Sequence, residues 1–332
     1  MSARTVLTFH AGPEQRAVMT SILAPFGGIG FLADAGDGPG ARADLLRTAE
    51  AVITFVPDLE LTDADLPSLG HTGLIQLLSA GANHVNFGRL PAHIKVAGNV
   101  GAYADPIAEH VAAMALCLAK RLPDNHAKLV AGKFEMAQTL RLRGGTVGVL
   151  GYGGIGQASA ALFRAFGMRV YAINTSGRAA SADQAGTLAD LDDMLASADI
   201  LVITIPLTNT TRGLIGAREL SLMKPEAILV NVARGAIVDE DALFAHLQAQ
   251  PQFRAGIDTW WDEPDAGQPF APRLPFLTLP NVLGSPHNSG TVAGMDVVSV
   301  EFAARNVARF LSGEPPHGVQ DPADYAPSAQ PT

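Results

Sequence analysis

Between residues 146 and 173 the chain reads strand, glycine turn, helix, strand, and this order restricts the fold more than any other stretch. Thr146–Leu150 is the first strand, and Gly151-Tyr-Gly153-Gly-Ile-Gly156 is a G-x-G-x-x-G turn. A helix over 157–166 and a strand over 169–173 follow it. In such a turn Gly151 permits the tight bend, Gly153 lets the backbone approach a pyrophosphate, and Gly156 lets helix and strand pack closely. The helix start adds free N–H groups and a positive dipole end for the anion. From Gly144 to Phe163 no residue is charged, but seven glycines between Gly144 and Gly156 rule out a membrane-spanning helix there. A dinucleotide is the ligand this unit is built to hold.

Short apolar runs alternate with helical patterns along the whole chain, the signature of βαβ units and a parallel sheet. Before the glycine turn, strands are expected over 5–9, 51–55, 74–78 and 94–97, and a long apolar helix over 104–122. After it, strands are expected over 200–205, 227–232, 255–257 and 281–283, with helices over 188–196, 240–248 (N-capped by Asp239) and 297–311. The 332 residues suffice for about two domains. A net charge of −9 leaves no excess of cations for nucleic acid. The single cysteine, Cys117, lies in an apolar run and reads as a small buried hydrophobe, so neither a disulfide framework nor a cysteine metal site is available. No metal site, nucleic acid or membrane is expected as a partner. The N-terminal residues lack the pattern of a signal peptide, which makes the cytoplasm the expected location.

The end of the second strand selects between dinucleotides. An acidic residue there would bond the ribose 2′-hydroxyl of NAD(H) and repel a 2′-phosphate. Here Asn174 stands in that place, followed by Thr175, Ser176 and Arg178. Two hydroxyls and a guanidinium suit a phosphate, so NADP(H) is favoured, with NAD(H) the alternative.

Three polar residues follow later strands: Arg234 after Ala227-Ile-Leu-Val-Asn-Val-Ala233, Glu263 in Asp258-Thr-Trp-Trp-Asp-Glu-Pro264, and His287 in Gly284-Ser-Pro-His-Asn-Ser-Gly290. Ligands of doubly wound sheets bind at the C-terminal ends of strands, where all three fall.

These stretches resemble the D-isomer-specific 2-hydroxyacid dehydrogenases, of the glyoxylate/hydroxypyruvate reductase kind. The likeness is carried by 146–156, by Pro206-Leu-Thr-Asn-Thr-Thr-Arg-Gly-Leu-Ile215, by 223–239, by Ala108-Glu-His110 and by Ser285-Pro-His287. The resemblance implies a doubly wound Rossmann domain (100–289) inserted into a smaller flavodoxin-like α/β substrate domain (1–99 and 290–332). The two would hinge about a cleft, and the tail over 314–332 would be poorly ordered. It implies a hydride exchanged between NAD(P)H and a 2-oxo acid/D-2-hydroxy acid pair. Arg234 would hold the substrate's carboxylate and carbonyl oxygen, His287 would be the acid/base, and Glu263 would pair with His287. Gly154, Ile155, Pro206, Thr211, Val232 and Asp258 would complete the cofactor set, with Asp258 and the backbone near Val232 at the nicotinamide carboxamide. The N–H groups of Ala80 and Gly81 would cradle the substrate's carboxylate, and Tyr103 would stand nearby. A homodimer is the implied assembly, with the 104–122 helix as its interface.

Departures from the family pattern are Asn174 for the strand-end acid, Gly154 for a basic side chain, Tyr103 for a smaller or polar residue, and the tandem Trp260-Trp261. An indole there either shapes a pocket for an apolar substrate side chain or packs between domains. Two other readings share the scaffold. A formate dehydrogenase would carry Gln in place of Glu263, and a nucleotide-sensing regulatory protein would carry a docking segment that this sequence lacks.

Overall fold

The computed structural model describes residues 3–36, 40–265 and 267–325. The chain divides into two compact units, Met1–Tyr103 with Ala293–Thr332, and Ala104–Val292. One is therefore inserted into the other.

The first unit contains β1 (Thr5–Leu7), α1 (Pro13–Leu23), β2 (Ile29–Phe31), α2 (Ala41–Leu46), β3 (Ala51–Thr54), α3 (Pro57–Glu60), β4 (Leu74–Leu77) and β5 (Lys95–Ala97). Its five parallel strands run in the order β2-β1-β3-β4-β5, the flavodoxin-like arrangement. Strand β3 is buried along its whole length, as a strand covered on both faces must be.

The second unit opens with α4 (Ala104–Lys120) and α5 (Leu122–Val130). Then come β6 (Thr146–Leu150), α6 (Gly154–Ala165), β7 (Arg169–Ile173), β8 (Gln184–Gly186), α7 (Leu191–Ser197), β9 (Ile200–Ile203), α8 (Ala217–Leu222), β10 (Ile228–Asn231), α9 (Glu240–Ala249), β11 (Arg254–Ile257) and β12 (Val282–Gly284). The seven-stranded sheet runs β12-β11-β10-β9-β6-β7-β8, all parallel. This is the doubly wound Rossmann order, and its direction reverses between β6 and β9, beside the glycine turn. Helix α4 buries Val111, Met114, Ala115 and Leu118 against α6 and the sheet. Gly256 of β11 makes room for it, since a Cβ there would meet Met114 at 3.3 Å. Asp239 caps α9, accepting from the Ala242 N–H at 2.8 Å, a contact that contributes about 1 kcal/mol.

In the first unit, α10 (Met295–Leu311) buries Val300, Ala303, Ala304 and Val307 with Leu7, Met19 and Leu23.

Several expectations change. The helix read over 104–122 ends at Lys120, because Pro123 cannot continue its hydrogen bonding and Arg121 turns left-handed at φ 52°. One face of that helix is buried within its own unit by α6 and the sheet, while Ile107, Leu116 and Cys117 stay half-buried. Helix α6 begins at Gly154 rather than 157, the last glycines of the turn being already helical. Cys117 is half-buried rather than buried. The tail read as poorly ordered from 314 is placed as far as Tyr325. Val319 forms an antiparallel bridge to Ala97 at the edge of β5, and Tyr325 stacks on Phe87. The free edge of β5 gives this segment backbone partners that composition does not reveal. Residues 326–332 lie outside the described residues. No described helix is long and apolar enough to cross a membrane, and the described residues contain no cluster of metal-ligating side chains.

Candidate active site

The three glycines of the turn are distinguished by what surrounds them. Gly151 has φ +102°, and a Cβ on it would lie 2.7 Å from the Ile205 nitrogen. A Cβ on Gly156 would lie 2.0 Å from the Gly151 carbonyl oxygen. Both glycines are demanded by the fold. Gly153 is different: a Cβ there would meet nothing within 4 Å. The fold does not require glycine at this position, whereas a ligand approaching the backbone would. Gly153 is also the N-cap of α6 and no side chain caps the helix, so the first-turn N–H groups of Gly154 and Ile155 are left for an anion. The residues present fit a dinucleotide pyrophosphate.

At the C-terminal end of β7, Asn174 organises its own loop. Its Oδ1 accepts from the Ser176 N–H at 3.0 Å and the Ser176 hydroxyl at 2.9 Å, and its Nδ2 donates to the Arg178 carbonyl at 2.9 Å. Thr175 and Arg178 are exposed. After β9, the buried Thr211 hydroxyl donates to the Pro206 carbonyl at 2.7 Å and accepts from the Thr208 N–H at 2.8 Å, which fixes that loop.

The ends of β10, β11 and β12 lie side by side and gather the acid–base groups. Asn231, just before the buried Val232, grips the loop after β10: its Nδ2 donates to the Arg234 carbonyl at 2.9 Å and its Oδ1 accepts from the Ala233 N–H at 3.1 Å. Gly235 then passes against the backbone of Trp260, where a Cβ would meet a carbonyl carbon at 2.4 Å. That approach sets Arg234 near Glu263, whose ionisation it influences. Glu263 Oε1 accepts from the Trp260 N–H at 2.9 Å, and Oε2 pairs with His287 Nδ1 at 2.7 Å. Burial pushes the Glu263 carboxyl up. The bonds from His287 and Trp260, with the charges of His287 and Arg234, outweigh it and hold the group below its ordinary value. An ionised Glu263 only accepts, so the proton between the two sits on His287 Nδ1. The imidazole is 41% exposed, and Nε2 is the nitrogen left to exchange a proton.

His287 has φ 50°, a left-handed conformation that costs a non-glycine residue about 1–2 kcal/mol. Asp258, 0% exposed, holds it there. Its carbonyl oxygen accepts from the His287 N–H at 2.8 Å, and its carboxylate accepts from the N–H groups of Asn288 and Ser289 at 3.2 and 3.3 Å. The Ser285 hydroxyl donates to the same carboxylate at 2.6 Å. Both tryptophans pack within this unit. Trp260 donates its indole N–H to the Ser285 carbonyl at 2.9 Å, and Trp261 stacks on Phe276. A cavity of about 540 Å³, lined by Trp260, Phe270 and Leu277, adjoins His287 and Glu263. A larger one, about 760 Å³, lies at the opposite ends of the strands and contains none of these groups.

Ala80, Gly81 and Tyr103 belong to the other unit. The loop after β4 is shaped by the Ser79 hydroxyl donating to the Gly81 carbonyl at 2.9 Å, and Gly98 allows the Ala80 carbonyl to pass close by. Tyr103 is half-buried, and its hydroxyl bonds to Ser299 of α10. Burial carries this phenol above its ordinary value, against the opposing pull of that bond.

Two adjacent strand ends thus present a histidine–glutamate pair, a third adds an arginine, and the turn after β6 has the open glycine and uncapped helix start that fit a pyrophosphate. Residues 112–289 match the family model described as D-isomer specific 2-hydroxyacid dehydrogenase, NAD binding domain. The chain belongs to this family. Its second unit is accordingly a nicotinamide dinucleotide-binding domain. A glyoxylate reductase of Aeropyrum pernix is 32% identical over 81% of this chain and 82% of that protein. One from Thermococcus gammatolerans is 38% identical over 52% of this chain and 50% of that protein, so the match spans half the length of that relative. The fold is shared with a D-isomer specific 2-hydroxyacid dehydrogenase from Xanthobacter autotrophicus Py2 crystallised with NADPH and MES. The TM-score is 0.79 at 23% identity, covering 97% of this chain and 99% of that one.

Reading the sequence assigned no role to Ser285, His110, Asn231 or Gly235. Ser285 and His110 stand inside family-like motifs, but their partners are remote in sequence and no spacing rule connects them.

Proposed function

We propose that the protein reduces a 2-oxo acid of the glyoxylate or hydroxypyruvate kind to the D-2-hydroxy acid, with NADPH the preferred reductant. The observation that carries this reading is the 2.7 Å pair between Glu263 and His287 Nδ1, with Nε2 left as the proton-exchanging atom. A bound reduced nicotinamide would supply the hydride to C2 of the substrate. His287 Nε2–H gives its proton to the carbonyl oxygen, and the resulting imidazole is reprotonated from water. Glu263, ionised, accepts the hydrogen bond of His287 Nδ1–H and fixes the ring. Arg234 pairs with the substrate's carboxylate and steadies charge growing on the carbonyl oxygen. On the first unit, the N–H groups of Ala80 and Gly81 supply a carboxylate cradle. Tyr103, whose hydroxyl bonds to Ser299, is the third substrate-side residue of the reading, reaching the substrate or capping its cleft.

The N–H groups at the start of α6 take the pyrophosphate, and Thr175, Ser176 and Arg178 take the adenosine 2′-phosphate. NADPH rather than NADH is supported by Asn174, which places no negative charge at the end of β7. Formate oxidation requires no acid at position 263, and the ionised Glu263 weighs against it. A homodimer, cytoplasmic, is part of the reading. Its interface is assigned to the 104–122 stretch, where Ile107 and Leu116 are half-buried and Leu122 is 53% exposed.

The test is to incubate the protein with NADPH or NADH and glyoxylate, hydroxypyruvate, pyruvate or phenylpyruvate. Cofactor oxidation is expected with NADPH and the smaller acids, and silence with every pair would refute the reading.

A further inference from the structure

Asp258 draws in three successive backbone N–H groups, those of His287, Asn288 and Ser289. Such a run of amides converging on one residue is what holds the chain in its left-handed turn at His287. The Asp258 carboxylate is in turn braced from a distant helix. Ser285 Oγ lies 2.6 Å from Asp258 Oδ1 and 2.9 Å from Nε2 of His110, on α4. A hydroxyl has a single proton, and an ionised carboxylate can only accept it. Ser285 therefore donates to Asp258 and must accept from His110, which places the His110 proton on Nε2. The polarity of the chain is fixed throughout: His110 donates to Ser285, Ser285 donates to Asp258, and Asp258 accepts from the amides around His287. The carboxylate is fully buried, and each of these donors helps offset the cost of keeping it charged there.

We propose that His110 is a positioning residue, which acts through Ser285 and Asp258 to hold the left-handed backbone that aims the His287 imidazole. His110 is 175 residues from Ser285 in sequence, and α4 packs Val111, Met114, Ala115 and Leu118 into this unit's core, so the brace is anchored there. The inference rests on His287 being the acid/base, and its test separates the two claims.

His110→Leu removes the donor with little change in bulk, whereas His110→Gln keeps an N–H at similar reach. Ser285→Ala and Ser285→Thr form the same contrast at the next link. With the 2-oxo acid turned over fastest, His110→Leu and Ser285→Ala should each lower kcat about tenfold, with KM for NADPH within twofold of wild type. His110→Gln and Ser285→Thr should restore most of kcat. The double variant should lose no more than either single one, because both break the same chain. Hydrogen–deuterium exchange on the cofactor-free protein gives a readout independent of turnover. Amides 287–289 should exchange faster in His110→Leu and Ser285→Ala, and at the wild-type rate in the two conservative variants.

If the wild type is inactive toward every substrate, the functional reading falls and the exchange data still decide the positioning claim. Unchanged kcat and exchange in His110→Leu and Ser285→Ala would overturn the proposal. So would equal losses in the deleting and conserving variants, or additive losses in the double variant. Should His110→Leu fail to fold, Ser285→Ala against Ser285→Thr carries the test alone.

Discussion

At the scale of single residues, the account depends on where protons and charges sit. His287→Ala should lower kcat by roughly 10²–10⁴, the range ascribed to general acid–base groups. Cofactor affinity, measured by fluorescence titration, should stay within a few-fold of wild type. Glu263 provides a pH signature. Its carboxyl is held below the ordinary value of 4.5 in the folded state, so its ionised form is bound more favourably there than in the unfolded chain. A depressed carboxyl contributes stability that is fully present above the unfolded value and is lost as pH falls through the folded one. Urea midpoints of wild type and Glu263→Gln should therefore differ above about pH 5 and converge as the medium becomes more acidic. A constant offset across that range would contradict the assigned ionisation. Arg178 is exposed at the end of β7. Arg178→Ala should weaken NADPH by about tenfold or more, the worth of a charge-assisted bond, and leave NADH nearly unchanged.

At the scale of elements, the β6–α6 turn separates what folding requires from what a ligand requires. Gly156→Ala forces a Cβ to 2.0 Å from the Gly151 carbonyl oxygen and should cost about 3 kcal/mol in denaturant unfolding. Gly153→Ala meets open space, so it should unfold within about 1 kcal/mol of wild type and yet bind dinucleotide far more weakly. Similar behaviour of the two variants would deny Gly153 its place against the pyrophosphate. The turn was legible because its chemistry is local: a strand, three spaced glycines and a helix within a few residues. Strand β8, Gln184-Ala-Gly186, was not legible, since it has neither alternation nor β-branched residues and exists because β7 offers a free edge. The break between α4 and α5 was visible only as Pro123, and the left-handed Arg121 that executes it carries no mark in the sequence.

At the scale of the molecule, the insertion has a mechanical consequence. The first unit's core needs α10 from the far end of the chain, where Val300, Ala303, Ala304 and Val307 are each 0% exposed. A chain ended after Val292 should keep slow hydrogen exchange in the second unit's strands and lose it in β1, β3 and β4. Retained protection in those strands would show that the first unit does not depend on α10. Parallel βαβ units were readable from the alternation of apolar runs with helical periods, and the places of Arg234, Glu263 and His287 after strands from the runs that precede them; the order of the strands was implied only by the family resemblance. The hold of Asp258 on 287–289 was not, because it is made with backbone N–H groups that every residue carries. Nor was the docking of Val319 on Ala97, where the partner is an unfilled strand edge.

The central claim, that this site moves a hydride to C2 while His287 supplies the proton, is tested most directly by isotope transfer. NADPH carrying deuterium at the transferable position of C4, incubated with glyoxylate or hydroxypyruvate, should yield a 2-hydroxy acid with deuterium on C2 by NMR. His287→Ala should yield almost none in the same time. Product whose C2 hydrogen comes from water, or no 2-hydroxy acid from any 2-oxo acid offered, would contradict the account.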